Sequence, residues 1–232
     1  MPACFCIKMN FKLNKRLLCA ASFVERGACV ADIGCDHAYL PIFLTETGTA
    51  SRVIAADINE GPCEKARENV RKHSLSEVIE VIRTDGLCGI EDYSPDNIVI
   101  CGMGAELIAR ILSDSEYTRS ASPLLILQPM TKQSSLRLWL LENGYKIVDE
   151  ALCTDDRLYE IIVARYDGKK REWSEAQLLL GKRNTEKRSA LLYEHYNRIT
   201  EQYNTIINGK RRAGLPTDKE EALLKELGEL LK

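Results

Sequence analysis

Short apolar runs alternate with amphipathic segments along the first two thirds of the chain. The runs are too short for buried helices and are bounded by Gly, Pro, Asp or Asn, so they predict buried strands. These predicted strands cover residues 29–33, 52–57, 78–83, 96–104 and 123–129. Apolar positions at three- and four-residue steps predict helices over 13–24, 36–45, 62–73, 106–112 and 135–142. Asp36 is the predicted N-cap of the second helix.

Two further segments, 145–153 and 158–166, alternate apolar and polar residues and predict a strand pair at the edge of the sheet. Repeated strand–helix alternation that ends in a strand pair is typical of an α/β protein. We therefore predict a doubly wound, Rossmann-like sheet that is parallel except near its end. Ligands of such sheets bind outside the carboxyl ends of the strands, so we expect the functional residues there.

The character of the sequence changes near residue 168, where charged residues and helical spacing become dominant. We predict a catalytic domain over 1–167 and a helical domain over 168–232. Residues 193–207 place Tyr, Thr and Ile at three- and four-residue steps, which predicts a coiled-coil seam. Residues 222–231 carry a leucine stripe. The fold prediction is thus an α/β domain with a C-terminal α-helical coiled-coil hairpin.

Composition narrows the class of protein without giving a function. The 232-residue chain has a formal charge of −2, yet residues 169–232 hold 14 Lys and Arg against 10 Asp and Glu. A basic tail on an acidic body indicates either a nucleic-acid partner or a solvated helical face. No apolar run approaches the ~18 residues of a membrane span. The nine cysteines lack CxxC spacing, which predicts reduced thiols in a cytoplasmic protein and no metal site.

The loop GCDHAY after the first predicted strand indicates the class of ligand. Asp57 ends the second strand 23 residues after Gly34, the approximate spacing at which an acid binds ribose hydroxyls in a nucleotide-binding βαβ unit. The loop lacks the second and third glycines of a dinucleotide site, and a pyrophosphate would face Asp36. A nucleoside with a cationic side group avoids that repulsion, and S-adenosylmethionine is such a ligand.

Further candidates lie in this loop and after the third and fourth strands. Asp85 is a candidate acceptor for an adenine amino group, and Gly102 and Gly104 allow close backbone approach, although glycines here also suit ordinary turns. His37 is either catalytic or a structural residue of its loop. The sequence pairs no base with Cys35, which disfavours a role for Cys35 as a nucleophile.

Five segments resemble, in order, the bacterial tRNA adenine-N1 methyltransferases that modify adenine 22. They are ADIGCDHAYLP, AADINEGPCEKARENV, RTDGL, CGMGAELIARIL and LILQPMTKQSSLRLWLLENGYKI. The resemblance implies a Rossmann-like methyltransferase sheet, S-adenosyl-L-methionine as methyl donor, a C-terminal coiled-coil domain and tRNA as substrate. The cofactor-binding residues it implies are Asp32, Ile33, Gly34, Cys35, His37, Asp57, Ile58, Asp85, Gly86, Gly102, Met103 and Gly104.

Asp36 is the candidate catalytic residue, by its place in the loop and by the family's motif. Adenine N1 has an in-plane lone pair that can attack the methyl group directly, and a nearby carboxylate would stabilise the cationic product. Alternatively, Asp36 only caps its helix or holds the cofactor. The candidate tRNA-binding residues are Lys182, Arg183, Lys187, Arg188, Arg198, Lys210, Arg211 and Arg212; the alternative is a dimerising coil.

Three positions depart from the family's pattern. Cys35 stands where serine is expected, Ala105 where glycine is expected and Met130 where asparagine is expected. Met130 matters most, because it removes a polar group that could address the adenine edge. The rival functions are a small-molecule methyltransferase, which the basic tail disfavours, and an RNA-binding protein with a decayed cofactor site, which the intact cofactor motifs disfavour. The oligomeric state is left open.

Overall fold

A seven-stranded sheet forms the centre of the protein. The computed structural model describes residues 13–232, and its strands follow the order β3-β2-β1-β4-β5-β7-β6. They are β1 Ala28–Ile33, β2 Ala50–Asp57, β3 Ile79–Arg83, β4 Asn97–Met103, β5 Leu124–Pro129, β6 Tyr145–Thr154 and β7 Leu158–Tyr166. The first five are parallel, and β7 pairs antiparallel with β5 and β6. The predicted sheet with a strand pair at its edge is confirmed.

Helices cover both faces of this sheet. They are α1 Lys15–Ala21, α2 Tyr39–Glu46, α3 Glu60–Lys72, α4 Ala105–Ser113, α5 Tyr117–Ser120 and α6 Gln133–Glu142. Helices α1 to α3 bury apolar side chains against one face, and α4 and α6 bury theirs against the other. Central strands are therefore buried on both sides and appear in the sequence as continuous apolar runs.

The helix after β1 begins later than predicted, and Asp36 is not its N-cap. Helix α2 starts at Tyr39, with Ala38 in the N-cap position. Asp36 and Ala38 both have left-handed backbone, with φ of 46° and 57°, whereas a side-chain N-cap has extended backbone. Asn69 of α3 donates its Nδ2–H to the carbonyl of His37 at 3.0 Å. This long-range contact holds the loop in a conformation that local capping rules do not predict.

Four helices form the C-terminal part of the chain: α7 Glu175–Leu180, α8 Lys182–Glu186, α9 Leu192–Arg212 and α10 Asp218–Glu229. Helices α9 and α10 lie antiparallel, and α10 also packs on α7 around a small apolar core. The helical character of the tail is confirmed, and its coiled-coil nature stays a prediction. The predicted seam is displaced in its first half, because Tyr193 is 62 % exposed whereas Leu192 and His195 are buried.

A buried ionic cluster joins the tail to the sheet. Arg137 of α6 is fully buried, and its guanidinium donates to Glu150 at 2.6 Å and to Glu160 at 2.7 Å. Glu150 also accepts the backbone N–H of Arg183 at 2.9 Å, and Glu160 lies 3.7 Å from His195 of α9. The helices after residue 168 thus share this cluster with β6 and β7. The predicted domains, of which residues 1–12 lie outside the described range, stay a prediction.

No helix within residues 13–232 is long and apolar enough to cross a membrane. The seven cysteines of this range are free, with Cys35 and Cys63 buried and Cys88 exposed. Over the same residues, no group of three or more His, Cys, Asp or Glu side chains is arranged to hold a metal ion.

Candidate active site at the carboxyl edge of the sheet

The candidate residues from four separate segments meet at one edge of the sheet. Gly34 follows β1, Asp57 ends β2, Asp85 follows β3, and Gly102 lies near the end of β4. These four strands are neighbours and parallel, so their carboxyl ends lie side by side. The chain reverses its winding direction between β1 and β4, which is where doubly wound sheets bind ligands.

Gly34 forms a cradle that a larger residue would fill. Its φ is +78°, and a Cβ at this position would lie 2.4 Å from Cε of Met103. The backbone N–H groups of Gly34 and Cys35 both donate to the carbonyl of Ala56, at 2.8 and 3.0 Å. These bonds tie the loop to β2, and the flexible end of the Met103 side chain covers the backbone at Gly34.

Asp36 and His37 lie at the exposed side of this loop. The Asp36 side chain is 71 % exposed, and its Oδ1 lies 3.6 Å from Nε2 of His37. The His37 ring stacks on Tyr39 at a centroid distance of 5.3 Å. Left-handed backbone at a non-glycine residue such as Asp36 stores strain, which is typical of functional loops. The Asp36 carboxylate is therefore accessible to a substrate.

Asp32 is the buried carboxyl of the site. It lies on β1, only 5 % exposed. Burial raises the pKa of Asp32 to about 7; Arg16 lowers it and Asp57 adds to the rise. The charged form of Asp32 is therefore costly and suits a ligand that brings a positive charge.

The residues predicted to bind the nucleoside lie beside the carboxyl ends of β2 and β3. Asp57 Oδ1 accepts the backbone N–H of Asn59 at 2.9 Å, so one carboxylate oxygen shapes the turn after β2. Ile58 is 50 % exposed beside it and offers an apolar surface to a base. Asp85 is exposed, and Gly86, with φ +58°, packs against Ile111 of α4. A cavity of about 640 Å³ opens from these two residues along α4, away from Gly34.

The opposite end of the site contains residues that sequence reasoning missed. Gln128 of β5 is fully buried, and its Oε1 accepts from Arg16 at 2.6 Å and from the Gly102 N–H at 3.1 Å. Tyr159 of β7 lies below two guanidinium groups, with Arg16 at 5.7 Å and Arg157 at 5.1 Å from the ring centroid. The one available signal was Gln128, a polar residue inside the apolar run PLLILQP.

The tail residues proposed for tRNA binding fall into two groups. Most bond within the protein: Lys187 to Asp149, Arg183 to Glu186, Arg198 to Glu160, Lys210 to Glu220, Arg211 to Glu221, and Arg188 to the carbonyls of Leu231 and Lys232. Lys182 lies 6.0 Å from the Trp173 ring centroid, and Arg212 is exposed on α9. Arg212 and Lys182 are thus placed more favourably for a phosphate than the paired residues.

Comparison with known proteins identifies the family. The family model described as tRNA (adenine(22)-N(1))-methyltransferase matches residues 30–229. The chain belongs to this family. It is 34 % identical to the tRNA (adenine(22)-N(1))-methyltransferase of Bacillus subtilis (strain 168), over 96 % of this chain and 97 % of that one.

Two solved structures extend the likeness to the whole fold. Streptococcus pneumoniae Sp1610 in complex with S-adenosyl-L-methionine has a TM-score of 0.83 and 32 % identity, covering 95 % of this chain and 100 % of that one. M. capricolum TrmK in complex with S-adenosyl-homocysteine has a TM-score of 0.75 and 26 % identity, covering 95 % of this chain and 96 % of that one. The family resemblance, the Rossmann-like fold and the enzyme class are confirmed.

Two departures from the family's pattern have a structural setting. Met130, in place of the expected asparagine, accepts weak hydrogen bonds at 3.6 Å from Gln128 Nε2 and from Arg157 Nη2. A thioether is a poor acceptor and donates nothing, so Met130 cannot read an adenine edge by donation. Ala105 is buried at the start of α4. Its methyl group thus faces the protein interior.

Proposed function

We propose that this protein transfers a methyl group from S-adenosyl-L-methionine to N1 of adenine 22 in tRNA. The observation that carries the proposal is the meeting of the Gly34 cradle, Asp57 and the Gly102 turn at one sheet edge, in a chain of this family. The cofactor supplies an electrophilic methyl group when bound. The protein's own residues bind it, orient the base and stabilise charge.

The residues present fit the cofactor. Because Gly34 has no side chain, a ligand could come close to the backbone there once the flexible end of Met103 moves aside. The buried Asp32 carboxyl suits the amino group of the methionine part, and Asp57 suits the ribose hydroxyls. Ile58 and Asp85 would hold the adenine, by apolar contact and by accepting from its amino group. The remaining cofactor residues proposed here are Ile33, Cys35, His37, Gly86, Met103 and Gly104.

Asp36 is proposed to act on the acceptor base. Adenine N1 attacks the methyl group in line with the leaving sulfur, so no covalent link to the enzyme is needed. N1 belongs to the Watson–Crick edge, and the base must therefore leave its stack. Methylation makes the base cationic, and the exposed carboxylate of Asp36 would stabilise that charge. Positioning supplies most of the rate, with a contribution of ~7–11 kcal/mol available from proximity.

The tail is proposed to bind the tRNA backbone. Phosphate contacts give affinity and orientation without reading sequence. Lys182 and Arg212 are the first candidates of the predicted set, since the others bond to groups of the protein itself. We also propose a cytoplasmic location, a catalytic domain over 1–167 and a coiled-coil tRNA-binding domain over 168–232.

The test is methyl transfer from labelled S-adenosyl-L-methionine to a tRNA transcript with adenine at position 22, compared with the same transcript carrying guanine there. We expect 1-methyladenosine only in the first. Asp36→Ala should lose most turnover and keep cofactor binding, whereas Asp92→Ala, an exposed acid away from the site, should change neither. Transfer to a small molecule but not to tRNA would favour the rival methyltransferase, and equal loss of binding in Asp36→Ala would reject its catalytic role.

A further inference from the structure

Helix α1 precedes the residues matched by the family model, yet it packs beside the candidate active site. It contacts β4, β5, β6 and β7, and its first turn carries Arg16. The Arg16 guanidinium donates to Gln128 at 2.6 Å. A Cβ built on Gly102 would lie 3.5 Å from the same guanidinium. Arg16 therefore stands over the carboxyl ends of β4 and β5.

Strand periodicity shows which residues lie beneath Arg16 on the same face of the sheet. Alternate residues of a strand lie on the same face of the sheet. The face under α1 is apolar at its middle, where neighbouring strands contribute Val30, Val99, Ile126 and Ile161. Two residues nearer the carboxyl edge, these strands place Asp32, Cys101, Gln128 and Tyr159 on that face. The face thus changes from apolar to polar beneath Arg16; we call these four residues the polar row.

Arg16 interacts with Gln128, Tyr159 and Asp32 of the polar row. It bonds to Gln128, whose Oε1 also accepts the Gly102 N–H at 3.1 Å. Its guanidinium lies 5.7 Å from the Tyr159 ring centroid. Its positive charge favours the ionised form of Asp32. The Nε2 group of Gln128 donates to the Pro129 carbonyl and to Met130. The polar atoms of Gln128 are thus bonded within the protein, and Gln128 links Arg16 to the Gly102 turn without contacting a ligand itself.

We propose that Arg16 is a positioning residue for methyl transfer, which holds Gln128 against the Gly102 turn and favours the ionised form of the Asp32 carboxyl, to which the amino group of the cofactor would bind. The inference rests on the proposed function, because it takes Asp32 to face the methionine part of S-adenosyl-L-methionine. Arg16 touches neither the methyl group nor the base in this account. It acts through Gln128 and Asp32.

The charge part of the proposal follows from the groups around Asp32. They are Arg16 from α1, Cys101 from β4, Asp57 from β2 and Cys35 from the loop after β1. Burial raises the pKa of both thiols, so they stay neutral near pH 7. Asp57 opposes ionisation of Asp32, and Arg16 is the cation of this set. Removing Arg16 should therefore increase the protonated fraction of Asp32 near neutral pH.

The experiment measures binding of S-adenosyl-homocysteine by calorimetry from pH 6 to 9, with wild-type protein and Arg16→Met. This ligand carries the same amino group as the cofactor, and its own titration cancels in the ratio of the two dissociation constants. The dissociation constant of Arg16→Met divided by that of the wild-type protein should be about 3 or more at pH 7. This ratio should fall toward 1 at pH 9, because alkaline pH ionises Asp32 in both proteins. Arg165→Met, at the other end of β7, is the matched control with a ratio near 1.

Two further variants separate charge from structure. Arg16→Lys keeps the charge and should show a pH-independent ratio, with kcat reduced because the guanidinium bond to Gln128 is lost. In an Asp32→Asn background, Arg16→Met should no longer produce a pH-dependent ratio. If Arg16→Met does not fold, Arg16→Gln takes its place in the same titration.

A ratio that is constant from pH 6 to 9, whether 1 or larger, would overturn the proposal for Arg16. So would the same pH-dependent ratio in Arg16→Lys. Failure of the wild-type protein to bind S-adenosyl-homocysteine is a separate outcome, since it would count against the proposed function itself. Methyl transfer to tRNA by the wild-type protein is measured in parallel to keep the two apart.

Discussion

Replacing Asp32 by asparagine should stabilise the ligand-free protein while it weakens cofactor binding. Asp32 is buried on β1 at the candidate site. Its pKa rises from 3.8 to about 7, chiefly through burial, so the folded protein holds its ionised form at a cost. Asparagine has nearly the same shape and carries no charge. The substitution therefore removes the cost of the charge and leaves the packing of β1 in place.

The size of the gain follows from the pKa. A difference between 3.8 and about 7 corresponds to about 4 kcal/mol at a pH above both values. Between the two values the folded carboxyl keeps its proton while the unfolded chain has released it. The free energy of unfolding of the wild-type protein therefore falls as the pH rises from 4 to 7, and Asp32→Asn abolishes this contribution. The gain should be about 1–2 kcal/mol at pH 5 and about 3–4 kcal/mol at pH 8.

The assay is urea unfolding of the ligand-free protein at pH 5, 6, 7 and 8, followed by circular dichroism. Asp92→Asn, an exposed acid on the turn before β4, is the control and should give no pH-dependent gain. Calorimetry with S-adenosyl-homocysteine should show a loss of affinity of about tenfold or more for Asp32→Asn, since a charge-assisted bond is lost. A pH-independent change in stability, or destabilisation at pH 8, would refute the account of Asp32 as a costly buried charge.

Three other outcomes are expected. Gly34→Ala and Gly27→Ala should each lower the free energy of unfolding by about 1–2 kcal/mol, because both positions have positive φ. Only Gly34→Ala should weaken S-adenosyl-homocysteine binding in calorimetry, and equal binding by the two variants would reject a role for Gly34 in the cofactor site. Arg137→Met should lower the free energy of unfolding in urea by about 3–5 kcal/mol, because two buried carboxylates lose their partner. Its control, Arg165→Met, removes an exposed ion pair and should cost less than about 1 kcal/mol. Arg212→Gln should raise the KM for tRNA and lower the slope of log KM against log salt concentration by about one, because one phosphate contact is lost. The melting temperature should not change, and an unchanged slope would exclude a phosphate contact by Arg212.

The sheet was predictable from sequence because its signal is local. Runs such as the one that forms β4 are apolar over their whole length, since both faces of a central strand are covered. Parallel pairing then follows from the intervening helices, and the functional edge follows from the parallel pairing. The positions of Gly34, Asp57 and Gly102 at that edge could therefore be predicted without coordinates.

The conformation of the Asp36 loop could not be predicted, because a distant residue determines it. Local rules favoured Asp36 as an N-cap, whereas the bond from Asn69 to the His37 carbonyl accompanies a left-handed turn. The tail shows the same limit. Lys187 looks like a surface cation in sequence, yet it is paired with Asp149, 38 residues away. Charge counts alone do not reveal which cations remain for a polyanion.

Two buried ionic sites within residues 13–232 differ in how far their charges are compensated. Arg137 is closed by two carboxylates at hydrogen-bond distance, and although burial alone would raise the pKa of Glu160, Arg137 and His195 lower it. That cluster satisfies its own charges and joins the tail to the sheet. Asp32 has the opposite balance, because Arg16 offsets only part of the cost of burial and its pKa remains near 7. A buried carboxylate whose charge the protein only partly balances is typical of a site where a bound cationic group supplies the rest of the balance. We infer that the carboxyl edge at β1 exchanges stability for ligand binding, whereas the tail junction pairs its charges within the protein and has a structural role.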